Sequence, residues 1–166
     1  MRVADLNNLP AEEATRELLR CCGSRRWARA MAAARPFADI GAVDATADRT
    51  FDALAPDDWL EAFAAHPRIG ESGGGAWSTQ EQTAARSADA GVRERLARQQ
   101  RDYESRFGYI FIICATGRSA GEMLAALEQR LQNAPADELR IASEEQRKIT
   151  HLRIEKLFAG IGPHAD

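Results

Sequence analysis

One run of six residues, Tyr109-Ile110-Phe111-Ile112-Ile113-Cys114, is the only strongly β-prone segment in this chain of 166 residues. A single strand has no partner with which to satisfy its backbone, so it cannot make a sheet. The segment is therefore expected to be a buried extended stretch or the start of a core helix, and the remainder must fold as helices. The length suits one ordinary domain, large enough to bury a core without staples. The expectation is an all-α fold: a single domain over residues 1–166, built as a compact bundle of about seven to nine helices.

Helix punctuation supports that reading along the chain. Asn7-Asn8-Leu9-Pro10 before Ala11-Glu12-Glu13 offers an asparagine cap, a proline near the first turn and acids at the positive end of the dipole. Gly23 stops this helix, and Ser24 can cap the next, which carries Trp27, Met31 and Ala34 up to Arg35-Pro36. A helical run over Asp44 to Leu54 follows, then one from Pro56 with Trp59, Leu60 and Phe63. That helix leads into His66-Pro67, where proline turns the preceding residue away from helical geometry. Gly70 and Gly73-Gly74-Gly75 make a loop, after which Ser78 and Glu81 have capping-box spacing. A mostly solvated helix over Gly91 to Arg106 closes at Phe107-Gly108. Ser119 caps a helix to Leu131, and Pro135-Ala136-Asp137-Glu138 opens a long final one.

Charge narrows the partners. With 22 basic and 25 acidic residues and a net charge of −3, there is no positive case for nucleic acid or an anionic membrane. No segment approaches the roughly 20 apolar residues of a membrane helix. Cys21, Cys22 and Cys114 are an odd set without zinc spacing, and they sit in apolar stretches that suit core residues better than nucleophiles. A reducing compartment fits best, so a cytoplasmic protein is expected; Pro163-His164-Ala165-Asp166 is not the peroxisomal serine-lysine-leucine signal.

Among candidate chemical groups, His66 stands at a helix end beside a glycine loop. Taken alone, such a histidine is more readily explained as a group bonded to the last helical carbonyls. Glu81 is explained by capping geometry alone, although Ser78, Glu81 and Gln82 at one helix start also form a polar cluster able to grip an anionic ligand. Arg153, between Leu152 and Ile154, reads by default as a surface arginine, and Arg118 is equally ambiguous in its loop. With no His-Glu-x-x-His and no second histidine close to His66, a metal site ranks below a metal-free one. The triple glycine lacks the Lys-Ser/Thr ending of a phosphate loop.

The order of several pieces says more than any one of them. Leu9-Pro10, Cys21-Cys22-Gly23-Ser24, Ala65-His66-Pro67-Arg68-Ile69-Gly70, Ser78 to Gln82, Phe107-Gly108-Tyr109-Ile110-Phe111-Ile112 and Leu152-Arg153 together resemble the 2-oxo-4-hydroxy-4-carboxy-5-ureidoimidazoline (OHCU) decarboxylase family across nearly the whole chain. The resemblance implies an all-helical, typically homodimeric enzyme of urate breakdown that forms (S)-allantoin without metal or organic cofactor. It assigns His66 as catalytic histidine and Glu81 as its partner carboxylate. Ser78, Gln82 and Arg153 match substrate-contacting positions, and Pro67 shapes the pocket. Phe107, Tyr109, Ile110, Phe111 and Ile112 belong to the stretch whose backbone meets the ureido and ring amides.

Two departures accompany this likeness: His151 precedes Leu152-Arg153, and the loop from Ser72 to Trp77 is short and glycine-rich. Two other classes compete with it: a non-catalytic helical ligand- or protein-binding module, and a metal-dependent hydrolase using His66 and Glu81. Turnover of OHCU discriminates against the first and its survival of chelation against the second.

Overall fold

The computed structural model of the protein describes residues 1–70 and 88–159, and in them the chain forms eight helices and no strand. They are α1 (Val3–Asn8), α2 (Ala11–Cys21), α3 (Arg25–Ala33), α4 (Ile40–Asp52), α5 (Pro56–Ala64), α6 (Ala90–Phe107), α7 (Ala120–Arg130) and α8 (Pro135–Phe158). The all-α expectation holds. The backbone divides into two compact units, one of Met1–Ala62 with the chain from Gln146 on, the other Phe63–Glu145.

In the first unit, α2 buries Ala14, Leu18 and Cys21 and α4 buries Val43, Ala47 and Phe51, each set at helical spacing. Between them α3 contributes Trp27, Ala28, Met31 and Ala32. Each large apolar side chain taken from water stabilises this core by about 1.5–3 kcal/mol. The Trp27 indole N–H donates to the Ala47 carbonyl at 3.2 Å, so its polar edge is satisfied where its ring is buried. Ser24 caps α3 as expected, its hydroxyl accepting from the Trp27 N–H at 3.2 Å.

Other boundaries differ from expectation for local reasons. The asparagines do not cap α2; Pro10 holds that position, and Asn7 and Asn8 end α1. Asn7 instead pairs with the Phe37 backbone, donating to its carbonyl at 2.8 Å and accepting from its N–H at 2.9 Å. Nearby Arg35 donates to the carbonyls of Leu6, Leu9 and Ala32, closing the ends of α1 and α3. The fourth helix starts at Ile40 rather than Asp44, because Asp39 caps it through the Ala42 N–H at 2.8 Å.

The second unit is centred on Leu96 and Tyr103 of α6, Met123, Leu124 and Leu127 of α7, and Phe111 and Ile113 of the connection between them. Helix α6 ends at Gly108, whose φ of 82° places it in the left-handed region and whose N–H reaches the Glu104 carbonyl at 2.8 Å. Ser119 and Glu122 form the capping box that opens α7.

Candidate active site

The turn after α5 takes its shape from His66-Pro67-Arg68-Ile69-Gly70. The His66 N–H donates to the Phe63 carbonyl at 3.1 Å, the last turn of backbone bonding before Pro67 ends it. His66 and Pro67 are half-buried. Gly70 has φ +87°, so a side chain there would be strained even though nothing stands within 4 Å of where its Cβ would lie.

What holds this turn comes from α6. The Ile69 N–H donates to Gln100 Oε1 at 2.8 Å, and Gln100 Nε2 donates to the Ile69 carbonyl at 2.9 Å. A primary amide thus supplies both bonds that a neighbouring strand would otherwise give, and Gln100 is only 2% exposed. One turn further along α6, Glu104 accepts a two-point contact from Arg68, Nε at 2.5 Å and Nη2 at 2.8 Å. Arg68, Ile69 and Gly70 also border a recess of about 460 Å³ with Arg93, Leu96 and Gln100. Among the described residues, none of the site residues expected from sequence is in its lining.

The β-prone run adopts neither a strand nor a helix: residues 110–115 are irregular. Its aromatic side chains gather on Tyr103, whose ring centroid lies 4.7 Å from Phe107, 5.8 Å from Tyr109 and 5.2 Å from Phe111, the last two edge-on. Tyr109 also meets Phe63 at 5.4 Å, so the end of the helix before His66 and the start of this segment share one aromatic cluster. Backbone groups without a sheet find charged side chains instead. Arg130 Nη1 donates to the Ile112 carbonyl at 2.7 Å, the Cys114 N–H donates to Glu145 Oε2 at 2.8 Å, and Arg118 Nε reaches the Cys114 carbonyl at 3.2 Å.

Behind the segment lies a buried polar cluster. Glu138, 0% exposed, accepts from the Tyr103 hydroxyl, from Arg130 Nε at 2.7 Å and from Asn133 Nδ2 at 2.8 Å. The Arg130 guanidinium stands 4.5 Å from the centroid of the Phe111 ring. Burial, and then the bond to Glu138, push the Tyr103 phenol far above its usual range, which keeps it a proton donor to the carboxylate.

The remaining expected residues divide as follows. Phe107 and Ile110 are half-buried, and Phe111 and Ile112 are buried. Arg153 lies on α8 in the first unit and is 7% exposed, so its default reading as a solvated surface arginine fails. A guanidinium this far from water needs compensating contacts, which makes its position a structural commitment of the fold. Cys21 and Cys22 are fully buried; burial pushes their thiols up to about 12 and about 11 respectively, against the opposing pull of Arg153. Such thiols are poor nucleophiles, in agreement with a core role. Ser78, Glu81 and Gln82 lie outside the described residues. The parts that Tyr103, Gln100, Glu104, Arg130 and Glu138 play in these contacts carry no signal in the sequence, since each has an ordinary place on a helix.

An all-helical protein with a histidine-proline turn clamped by α6 and an irregular segment clamped by α7 and α8 is the class defined by these features. The OHCU decarboxylase family model matches residues 7–155, and the chain belongs to this family. It is 41% identical to a solved OHCU decarboxylase crystallised in the presence of (S)-allantoin, covering 86% of this chain and 97% of that one with a TM-score of 0.78. The uric acid degradation bifunctional protein TTL of Arabidopsis thaliana is 40% identical over 147 residues, 84% of this chain and 45% of that protein. The OHCU decarboxylase of Amia calva is 41% identical over 70 residues, 42% of this chain and 40% of that protein. The chain thus spans under half the length of each of these two relatives in the matched region.

Proposed function

We propose that the protein decarboxylates OHCU to (S)-allantoin in urate breakdown. The observation that supports this most strongly is the 41% identity, over nearly the full length, to an OHCU decarboxylase solved with that product. The chemistry suits a protein with only side chains to offer. Loss of carbon dioxide from the hydroxylated ring carbon leaves an electron pair that moves into the adjacent ring C=N, giving a carbon-carbon double bond and a protonated ring nitrogen. The ring hydroxyl then gives up its proton as it becomes a carbonyl. The neighbouring carbon takes a proton on one face, which sets the S configuration.

In this reading His66 and Glu81 are the acid/base pair. A histidine, with an unperturbed pKa of about 6.5, can exchange the hydroxyl proton near neutral pH, and a carboxylate within hydrogen-bond reach orients it. Ser78, Gln82 and Arg153 grip the substrate, Pro67 shapes its pocket, and the backbone of Phe107 to Ile112 meets its amides. The planar fork of Arg153 suits the substrate carboxylate, as a lysine would not. No cofactor is assigned. A homodimer and a cytoplasmic setting complete the proposal; the described helices include none long and apolar enough to cross a membrane.

Purified His66→Ala is expected to fold, by far-ultraviolet circular dichroism, and to lose at least ~100-fold in kcat, the ordinary contribution of a general acid or base. A folded variant with wild-type kcat removes His66 from the mechanism. Arg153→Lys is expected to lower kcat/KM by impaired substrate use, and unchanged kinetics would withdraw its role.

A further inference from the structure

We infer that Arg130, locked by Glu138, is a positioning residue for the substrate-contacting segment: by holding the Ile112 carbonyl it sets how the backbone of Phe107 to Ile112 faces the substrate. The inference rests on the proposed role of that segment.

Every nitrogen of the Arg130 guanidinium is engaged. Nε lies 2.7 Å and Nη2 2.6 Å from Glu138 Oε1, while Nη1 lies 2.7 Å from the Ile112 oxygen. Glu138 is itself fixed by the Tyr103 hydroxyl and by Asn133. The fork therefore has one free direction to offer the segment, and it is aimed at a single carbonyl. Because a peptide is planar and trans, fixing the Ile112 carbonyl also fixes the Ile113 N–H, which points the opposite way. The next peptide is held through the Cys114 N–H by Glu145. Two consecutive peptide planes are thus set by charged side chains where a sheet would ordinarily set them.

A buried ion pair is a poor route to stability, since apolar residues of similar volume commonly do as well or better. What this pair supplies is direction. A lysine at 130 has no fork with which to hold a carboxylate and a carbonyl together. The cluster is enclosed and fully bonded, with the Arg130 side chain 9% and Glu138 0% exposed, so it acts through Ile112 and not on substrate.

The test compares wild type, Arg130→Lys and the double variant Arg130→Met/Glu138→Met, using freshly generated OHCU and amide hydrogen exchange at Ile113 and Cys114. In the double variant, the expected results are a cooperative thermal transition with a midpoint below wild type but above that of Glu138→Leu, exchange at both amides faster by ~10-fold or more, and KM raised by ~10-fold with kcat within ~3-fold, as for lost positioning of a binding surface. A folded double variant with wild-type exchange and wild-type KM overturns the inference. If the double variant does not fold, Arg130→Lys decides in the same way: raised KM and faster exchange support the inference, and wild-type values for both reject it. If wild type itself has no turnover, the functional reading fails separately, and unchanged exchange in the variants would still show that Arg130 does not hold the segment.

Discussion

Arg130 and Arg147 make nearly the same contacts in very different surroundings. Arg130 pairs with Glu138 and lies 4.5 Å over Phe111; Arg147 pairs with Asp48 at 3.2 Å and Asp52 at 2.5 Å and lies 4.8 Å over Phe51. Glu138 is sealed from solvent, whereas the side chains of Asp48 and Asp52 are 47% and 65% exposed. Water screens the second set and is excluded from the first, so similar chemistry carries different consequences. Around Arg130 the charges hold an irregular backbone segment in place. Around Arg147 they join α8 to α4 within one unit, with His151 adding a contact to Asp48 at 2.9 Å.

The sharpest way to break this comparison is to remove one partner from each cluster. Glu138→Leu strands the Arg130 charge in the core and is expected to cost about 3–5 kcal/mol by urea denaturation. Replacing both residues, as in Arg130→Met/Glu138→Met, should recover most of that loss; a double variant as unstable as the single would mean that the pair does more than cancel its own charges. Gln100→Leu comes next. It removes both bonds to the backbone of the buried Ile69, and about 1–3 kcal/mol is expected. Less than half of that would show that the turn after α5 is held by the Arg68–Glu104 contact instead.

Arg147→Ala should cost at most about 1 kcal/mol, and less at high salt. A salt-independent loss would assign the effect to packing on Phe51. Smallest is the pH effect of Asp48→Asn. The hydrogen bond from His151, first, and that from Arg147 hold the Asp48 carboxyl below the usual carboxylate range. Its stabilisation is present above the unfolded value, about 3.9, and is lost as pH falls through the lower folded value. The asparagine variant should therefore have a slightly lower thermal midpoint at neutral pH and a shallower decline across the acid limb, the two proteins converging at low pH. An unaltered acid limb would remove Asp48 from that dependence.

The helices were legible because their signals are local. Ser24, Pro56, Ser119 and Pro135 each mark a boundary through backbone chemistry that acts within one turn. The helical setting of the lone β-prone run followed from counting partners: with nothing to pair with, it could not be a strand. How its backbone is satisfied was not legible, because Arg130 and Glu145 lie 18 and 31 residues from the groups they hold and each, like Glu138, has an ordinary role in isolation. Glu138 reads as a first-turn acid favoured by the helix dipole, and Gln100 as one polar residue among many on α6. Their burial is set by tertiary packing that periodicity does not encode. Arg153 illustrates the reverse: local pattern put it on the surface, likeness to a family put it in a site, and the fold buries it.

The most direct test of the account follows the chirality of the product. Freshly generated OHCU is mixed with the purified protein, and allantoin formation is followed by circular dichroism against the spontaneous reaction, which ends in racemate. The account predicts rapid appearance of the (S)-allantoin signal. Optically inactive product formed at the spontaneous rate would contradict it.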